Sequence, residues 1–341
     1  MSLCAGVIGV AGLFIAKGMA LLVSAVAIVT LGVLLLSFIL RSAGWLTANR
    51  LELKAWMKRT GSALLVTLCA LVSLFGLVYL VQDGMFFYNA NDPESRAFLQ
   101  NRQGYHEIEF TAANGKTYHG MMYQASEGKA PLLIYFGGNG ECSYNNLRYH
   151  ETYDRWATFA GYHYLYMDYE GYGANSGQAD YLNMYEEALA IYDYAVTLAS
   201  VDSDHIVAMG YSLGTGSAVY LAANRSVAGL ILQAPYANGH DLYNNMLPIF
   251  VGPLQLLEKQ KLPSEQYAPD VGCPTLIIAS RSDEAVPFAS SMRLSELITG
   301  EVEFMTLDNV SHNGIFQEER VREKIKSFLE KLSPIEEVVP Q

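Results

Sequence analysis

Residues 205–223 read HIVAMGYSLGTGSAVYLAA and contain the pattern Gly-x-Ser-x-Gly, whose serine is Ser212. The apolar run before the pattern is typical of a short buried strand, and the small residues after it favour a helix. A serine in a sharp strand-to-helix turn needs small residues two positions before and after it, because the strand and the helix approach closely there. Gly210 and Gly214 meet this requirement. The segment therefore predicts a nucleophile elbow, a turn that holds the Ser212 hydroxyl above a β-sheet.

The chain around this segment alternates short apolar runs with helical patterns. The predicted strands are 105–111, 117–123, 132–136, 162–168, 205–210, 228–233, 275–280 and 301–307, and the predicted helices are 143–159, 181–198, 213–224, 287–298 and 314–332. The first two strands flank an Asn-Gly turn and form a hairpin. Strands that alternate with helices predict an α/β fold, with a mostly parallel sheet flanked by helices. Functional residues are then expected on loops at the carboxyl ends of strands.

The remaining members of a catalytic triad follow Ser212 in the order expected for a nucleophile elbow. A serine hydroxyl is a poor nucleophile without a base, and the base needs an orienting acid. Asp283 follows the predicted strand 275–280, and His312 follows the last predicted strand, 301–307. Both therefore lie on loops at the carboxyl ends of strands. The sequence predicts Ser212, Asp283 and His312 as the catalytic residues.

Two other acids compete with Asp283 for the orienting role. Glu284 is its neighbour, and Asp308 lies on the same loop as His312. Asp283 is preferred because it comes first after its strand and precedes an Ala-Val-Pro turn.

Acyl chemistry also needs hydrogen-bond donors for the developing oxyanion. One is expected from the residue after the nucleophile, which is Leu213. The second is expected from the loop Tyr-Phe-Gly-Gly-Asn-Gly at 135–140, whose glycines let backbone N–H groups face a ligand. We place this donor at Asn139, with Gly138 as the alternative.

The apolar excess of the chain lies near its N-terminus. Of 341 residues, 51% are hydrophobic and 16% are charged. Residues 18–40 and 61–82 carry no charged side chain. Each run is long enough to cross a bilayer core of roughly 30 Å. They predict an N-terminal transmembrane helical hairpin of two spans, or of three if residues 3–16 form another.

These segments define the predicted domain organisation. Residues 1–82 are a membrane anchor with a basic loop at 41–60. Residues 83–341 are one α/β domain with a small lid at about 236–273, since about 260 residues suit a single domain of this class.

The charges divide unevenly between the two parts. Residues 1–82 hold six bases and one acid, whereas the rest of the chain holds 16 bases and 33 acids, which gives a net charge of -12. Short loops rich in Lys and Arg stay in the cytoplasm, so the chain after residue 82 should lie outside it. We expect an integral membrane protein of the plasma membrane with an extracytoplasmic catalytic domain. Nucleic acid is excluded as a partner, because phosphate contacts need a basic face.

The sequence resembles the α/β-hydrolase superfamily, most closely its membrane-anchored, small-lid serine hydrolases of the bud-emergence and depalmitoylase-like groups. Besides the triad, the resemblance includes Thr-Tyr-His-Gly at 117–120, the run MDYEGYGANSG at 167–177, and Asp-Glu-Ala-Val-Pro at 283–287. Two positions depart from the family's pattern. Gly137 stands where the family usually has His, and Glu170 stands where it usually has Arg.

The resemblance covers about residues 86–332 and also bears on the cysteines. It implies that Cys142 lies at the top of the sheet with the oxyanion loop and Cys273 at the bottom. Their Cα atoms would then be too far apart for a disulfide, so we expect both thiols to be free.

The triad and the resemblance together predict a serine hydrolase that cleaves an ester or thioester bond, without a metal or an organic cofactor. The membrane anchor and the apolar lid favour these bonds over peptide bonds. The expected partners are an acyl-containing small molecule, a lipid or an acylated protein, together with the lipid bilayer. Other functions remain open: an amide or peptide hydrolase or an acyltransferase with the same triad, and a catalytically silent membrane-tethered binding module.

Overall fold

The computed structural model describes residues 50–333 apart from 247, 249 and 251. The predicted first span at 18–40 and the first part of the predicted basic loop lie outside the described residues. What is described separates into two compact units. The smaller unit contains residues 50–82 and 246–259, and the larger contains 83–245 and 260–333. All the predicted site residues belong to the larger unit.

An eight-stranded sheet forms the centre of the larger unit. Its strands are β1 (Tyr105–Thr111), β2 (Thr117–Tyr123), β3 (Ala130–Phe136), β4 (His163–Met167), β5 (Val201–Tyr211), β6 (Gly229–Gln233), β7 (Thr275–Ser280) and β8 (Val302–Leu307). The spatial order is β1-β2-β4-β3-β5-β6-β7-β8. Strand β2 pairs antiparallel with β1 and β4, and all other neighbours are parallel. The carboxyl ends of β5, β7 and β8 therefore meet at one edge, where the predicted site residues follow them.

Helices alternate with these strands. They are α1 (Arg50–Phe86), α2 (Pro93–Leu99), α3 (Ser143–Thr152), α4 (Tyr181–Ala195), α5 (Thr215–Asn224), α6 (Gly239–Met246), α7 (Ser264–Tyr267), α8 (Phe288–Leu297) and α9 (Glu319–Leu332). Every residue of β4, β6 and β7 is buried, which requires cover on both faces of the sheet. The predicted mostly parallel sheet with flanking helices is confirmed.

Two predicted helices are shorter than the sequence pattern suggests by five residues or more. The helix expected at 143–159 ends at Thr152, because Asp154 has a φ of +50° and breaks the helical path before a separate 3₁₀ turn, Trp156–Phe159. The helix expected at 314–332 starts as a 3₁₀ turn, His312–Gln317. Extended backbone at Glu318, with a ψ of 125°, separates that turn from α9.

Helix α1 contains a stretch that is long and apolar enough to cross a membrane, Lys58–Leu80. It is the only such stretch among residues 50–333. None of this window is buried by other described residues. Leu65, Val66 and Leu80 are 61%, 68% and 74% exposed. By length and composition this helix matches the second predicted span. The predicted hairpin remains a prediction, since its first helix falls on residues outside the described part.

Within the smaller unit, Gln82 binds the 3₁₀ turn Gly252–Leu257 and the residues after it. Its Nε2 donates to the Leu257 carbonyl at 3.0 Å, and its Oε1 accepts from the Lys259 N–H at 2.9 Å. The Lys259 ammonium lies 4.8 Å from the centre of the Tyr79 ring. This part of the predicted lid is therefore joined to the C-terminal end of the apolar window.

The cysteines agree with the sequence prediction. Cys142 is buried just before α3, Cys273 lies just before β7, and both are free thiols. The expectation that they do not pair is confirmed.

Replacement of Gly120 tests the pairing of β2 with β4. Gly120 lies opposite Met167, and a Cβ at this position would overlap the Tyr166 carbonyl and come within 2.5 Å of the Met167 Cα. We expect Gly120→Ala to lower the free energy of unfolding by about 1–3 kcal/mol, as overpacking does. Thermal unfolding of the detergent-solubilised full chain, followed by tyrosine and tryptophan fluorescence, should show a lower Tm.

The matched control is Gly128→Ala, because a Cβ at Gly128 meets no heavy atom within 4 Å. A Tm for Gly120→Ala as high as that of the control would contradict the close strand pairing.

Candidate active site

Ser212 lies in the turn between β5 and α5 and has a φ of +50°. A non-glycine residue in this region is held there by its surroundings, at a cost of about 1–3 kcal/mol. The surroundings are tight on both sides. A Cβ at Gly210 would lie 2.7 Å from the Thr215 Cα, and a Cβ at Gly214 would overlap the Phe136 carbonyl. The strand and the helix thus approach as closely as a nucleophile elbow requires.

His312 faces Ser212 from the turn after β8. Its Nε2 lies 2.9 Å from the Ser212 Oγ, within hydrogen-bond distance. The Glu284 carboxylate accepts a hydrogen bond from the His312 backbone N–H at 3.0 Å. The Tyr211 ring stacks on the imidazole with 5.1 Å between ring centres, and its hydroxyl donates to the His312 carbonyl. The histidine is therefore fixed through both its backbone and its ring.

Asp283 completes the hydrogen-bonded series. Its Oδ2 lies 2.8 Å from the His312 Nδ1, and the two side chains are only 2% and 10% exposed. Its Oδ1 accepts from the N–H groups of Ala285 and Val286, each at 2.8 Å. The carboxylate is thus oriented by the turn that follows it.

The rival acids have other partners. Glu284 binds the backbone N–H of His312, whereas Asp283 is the acid that lies within hydrogen-bond distance of the ring. The Asp308 side chain is 70% exposed and lies 3.6 Å from Arg281. Asp283 alone of the three acids contacts the His312 ring.

The glycine loop after β3 is held by Glu141. The Glu141 Oε2 accepts from the Gly138 N–H at 2.8 Å and from the Tyr135 hydroxyl at 3.1 Å. Burial raises the pKa of Glu141. The Gly138 amide, our alternative oxyanion donor, therefore already has an acceptor.

The side chain of Asn139 connects the same loop to the end of α1. Its Nδ2 donates to the Phe86 carbonyl at 2.6 Å. Its Oδ1 accepts from the Tyr88 N–H at 2.8 Å and from the Tyr172 hydroxyl at 2.7 Å. These contacts hold the Asn139 side chain in the loop, and its backbone N–H is the group that we expect to donate to an oxyanion. The Asn139 N–H donates to no other residue within the described chain.

Asp168 fixes the start of the helix that follows the glycine loop. Its carboxylate is fully buried and accepts from the Ser143 N–H at 2.5 Å and from the Ser143 Oγ at 2.8 Å. Its carbonyl accepts from the Asn175 amide within the same motif, 167–177. Burial raises the pKa of Asp168 to about 7. The motif therefore fixes the first residue of α3.

The two departures from the family's pattern have local explanations. A Cβ at Gly137 would overlap the Tyr166 hydroxyl, so a histidine there would require that ring to move. Glu170 forms an ion pair with Lys116 of the hairpin turn, at 2.7 Å.

Sequence reasoning did not find the supporting roles of Glu141, Tyr211 and Glu284. Each contacts a residue distant in sequence or a backbone group. Neither kind of contact produces a recognisable spacing of residue types in the sequence. The hydroxyl, imidazole and carboxylate that the sequence singled out lie in a single hydrogen-bonded series.

The chain is similar to several curated proteins. It is 28% identical over 163 residues to the alpha/beta hydrolase domain-containing protein aho-3 of Caenorhabditis elegans, covering 48% of this chain and 47% of that protein. It is 32% identical over 149 residues to an uncharacterized protein of Mycobacterium tuberculosis, covering 44% and 52%. It is 27% identical over 162 residues to the alpha/beta hydrolase domain-containing protein 17B of Xenopus laevis, covering 48% and 54%. The matches span about half the length of these relatives. No protein-family model matches the chain.

Solved structures share the fold. The esterase Pf2001 of Pyrococcus furiosus is 15% identical, with a TM-score of 0.55 over 72% of this chain and 95% of that one. Est1E of Butyrivibrio proteoclasticus is 18% identical, with a TM-score of 0.51 over 67% and 99%. The chain therefore has the α/β-hydrolase fold that the resemblance implied. Over about half its length it is also similar to curated proteins named for an alpha/beta hydrolase domain.

The buried carboxyl of Asp168 predicts a pH dependence of stability. Its pKa is about 7 in the folded chain, against about 3.9 in an unfolded one. Between these values the folded state binds more protons, so its stability falls as pH rises. We expect wild type to lose about 2–3 kcal/mol between about pH 5 and pH 7 relative to Asp168→Asn, which cannot ionise. Thermal unfolding at the two pH values measures the difference.

Other buried carboxyls titrate in both proteins, so only the difference between them reports on Asp168. Asp308→Asn, at an exposed carboxylate, is the control and should lose as much stability between the two pH values as wild type does. The same loss in Asp168→Asn as in wild type would show that the Asp168 carboxyl does not carry the effect.

Proposed function

We propose that this protein is a membrane-anchored serine hydrolase that cleaves ester or thioester bonds. The observation that carries the proposal is the continuous contact from Asp283 through His312 to Ser212, with distances of 2.8 Å and 2.9 Å. A serine, a histidine and a buried acid in this order form a catalytic triad. The positive φ of Ser212 and the close approach of β5 and α5 support the same role.

In the first proposed step, the His312 Nε2 takes the proton of the Ser212 hydroxyl while the Oγ attacks the carbonyl carbon. Asp283 accepts a hydrogen bond from Nδ1 and stabilises the imidazolium. The Leu213 and Asn139 N–H groups donate to the oxyanion. The bond to the leaving group then breaks, and His312 gives the proton to the leaving alcohol or thiol.

The second step releases the acyl group. Water gives a proton to His312 and attacks the acyl-serine, and the proton returns to the Ser212 Oγ as the free acid departs. These steps use water and groups of the chain alone, without a metal or an organic cofactor.

Esters and thioesters are favoured as substrates by two observations. A solved structure with the same fold, Pf2001 of Pyrococcus furiosus, is named as an esterase. A long apolar helix with exposed side chains would hold the domain beside a bilayer, where acylated small molecules, lipids and acylated proteins are present.

The basic loop supports an orientation as well as an anchor. We place the Lys58–Leu80 helix across the plasma membrane with its N-terminal end in the cytoplasm, because that end belongs to the basic loop 41–60. The α/β domain then lies outside the cytoplasm.

A fluorophosphonate probe tests the nucleophile. We expect the full chain to be labelled and Ser212→Ala to lose all labelling, because the probe forms a covalent bond with an activated serine. Turnover of p-nitrophenyl butyrate should fall by at least about 10³-fold.

The matched control is Ser217→Ala, which removes a buried hydroxyl from α5 outside the candidate site. It should keep labelling and turnover. Equal labelling of Ser212→Ala would exclude this serine as the nucleophile, and no labelling of wild type would favour the silent binding module.

Protease accessibility tests the orientation. External protease added to intact cells should digest the domain after residue 82 and leave the membrane anchor. Protection of the domain in intact cells, with digestion only after lysis, would contradict the proposed topology.

A further inference from the structure

The predicted lid contains a 3₁₀ turn, Gly252–Leu257, which belongs to the same compact unit as residues 50–82 of α1. Among the side chains that the structure describes, Leu256 in this turn is the most exposed of the large hydrophobic ones, at 83%. Leu80, at the end of the apolar window, is 74% exposed. A single exposed leucine is ordinary at a protein surface, so its meaning depends on what lies around it.

Gln82 fixes the position of this turn along α1. Its Nε2 donates to the Leu257 carbonyl at 3.0 Å and to the Tyr79 carbonyl at 3.2 Å. Its Oε1 accepts from the Lys259 N–H at 2.9 Å, and the residue is only 3% exposed. One buried amide therefore joins the end of the 3₁₀ turn to the last helical turn of the apolar window.

The length of the window places its last helical turn at the edge of a bilayer core. Lys58–Leu80 has 23 residues, which at about 1.5 Å per residue extend roughly 35 Å, slightly more than a core of roughly 30 Å. Gln82 lies about 3 Å further along the axis. Each headgroup layer is roughly 5–7 Å thick. In a helix that spans the bilayer, Gln82 and the turn that it binds therefore lie at the depth of the lipid headgroups.

The side chains at this depth suit a membrane interface. The Lys259 ammonium lies 4.8 Å from the centre of the ring of Tyr79, a residue that is 43% exposed. Tyrosine is enriched where the hydrocarbon meets the headgroups, and a lysine near a helix end extends its ammonium toward the headgroups. Leu256 adds an exposed apolar side chain next to the carbonyl that Gln82 binds. A segment that lies in the interface combines such polar and apolar groups.

A protein partner fits this turn less well than lipid does. Stable protein interfaces use roughly 20–30 residues a side, whereas the turn has six. A bilayer needs no matching surface, because lipids adapt to a single inserted side chain. The adjoining end of the apolar window, where Leu77 and Leu80 are 57% and 74% exposed, is already proposed to contact lipid. The turn continues that surface.

We propose that the turn Gly252–Leu257 lies in the headgroup layer at the C-terminal end of the membrane helix, with the Leu256 side chain at the boundary with the lipid chains. The inference rests on the membrane anchor of the proposed function and is independent of the hydrolase activity. It gives the protein a second contact with lipid, far from the helix in sequence and adjacent to its last turn in space.

Photocrosslinking tests the position of Leu256. The full chain, with p-benzoylphenylalanine in place of Leu256, is reconstituted in vesicles of phosphatidylglycerol and tritiated phosphatidylcholine. Irradiation should attach tritium to the protein, because the benzophenone reacts with the C–H groups that it touches. The amount should approach that obtained with the same residue in place of Leu65, which lies in the apolar window and is 61% exposed.

The matched negative control is Leu182, which is 56% exposed at the start of α4. The exposed Glu186 lies one helical turn away and disfavours anionic lipid there, so irradiation should attach no more tritium than the dark sample holds. Equal tritium at Leu182 and Leu256 would overturn the proposal. Attachment of Leu256 to a second copy of the chain or to another protein, in place of lipid, would also overturn it.

Tryptophan fluorescence measures the depth of the same position with a smaller change. In vesicles of lipid that is brominated near the headgroup, the tryptophan added by Leu256→Trp should be quenched, and more strongly than by lipid that is brominated near the chain end. The added signal is the difference from wild type. Leu182→Trp, the control, should show no quenching of its added signal. A Tm equal to that of wild type shows that each variant is folded, and an unquenched signal from folded Leu256→Trp would contradict the proposal.

The positive control separates failure of this proposal from failure of the proposed function. Tritium at Leu65 but not at Leu256 would leave the anchor in place and overturn the contact of the turn with lipid. No tritium at either position would overturn the anchor and the turn's contact together. Fluorophosphonate labelling of Ser212 reports on the hydrolase activity separately from both.

Discussion

The close contact of β5 with α5 around Ser212 is the constraint on which the candidate site depends. A positive φ at a serine is unfavourable unless the surrounding structure enforces it. Here the enforcement comes from two glycines, Gly210 and Gly214, whose missing Cβ atoms let backbone meet backbone. The same contact places Gly214 against the Phe136 carbonyl, at the start of the glycine loop. One tight turn thereby sets the positions of both the hydroxyl and the neighbouring amides.

Buried carboxylates hold the loops around that turn. Asp283, Asp168 and Glu141 each accept at least one backbone N–H, and each follows the carboxyl end of a strand. Removing a carboxylate from water is costly unless hydrogen bonds replace the lost solvation. Each buried acid therefore depends on the hydrogen bonds from its loop, and those hydrogen bonds in turn hold the loop in one conformation. The Asn139 side chain also connects the glycine loop to the last turn of α1, so this loop is held by contacts from Glu141 and from α1.

Much of this arrangement could be predicted from the sequence because it depends on local patterns. Alternating apolar runs and helical stretches identified all eight strands, and the glycine spacing located the turn at Ser212. The order of residues along the chain placed Asp283 and His312 on loops that the structure brings next to Ser212. Helix ends were predicted less well, since a single residue such as Asp154 can end a helix by adopting a positive φ.

The sequence by itself determined which loops carry the hydroxyl, the carboxylate and the imidazole. It also determined where a long apolar helix lies. Tertiary structure alone decided which of three acids reaches the histidine ring, and which glycine-loop amide is already bound by Glu141. These features join residues far apart in the chain, through distances and directions that residue spacing does not encode. Hydrogen bonds depend on those distances and directions, so only the folded chain fixes them.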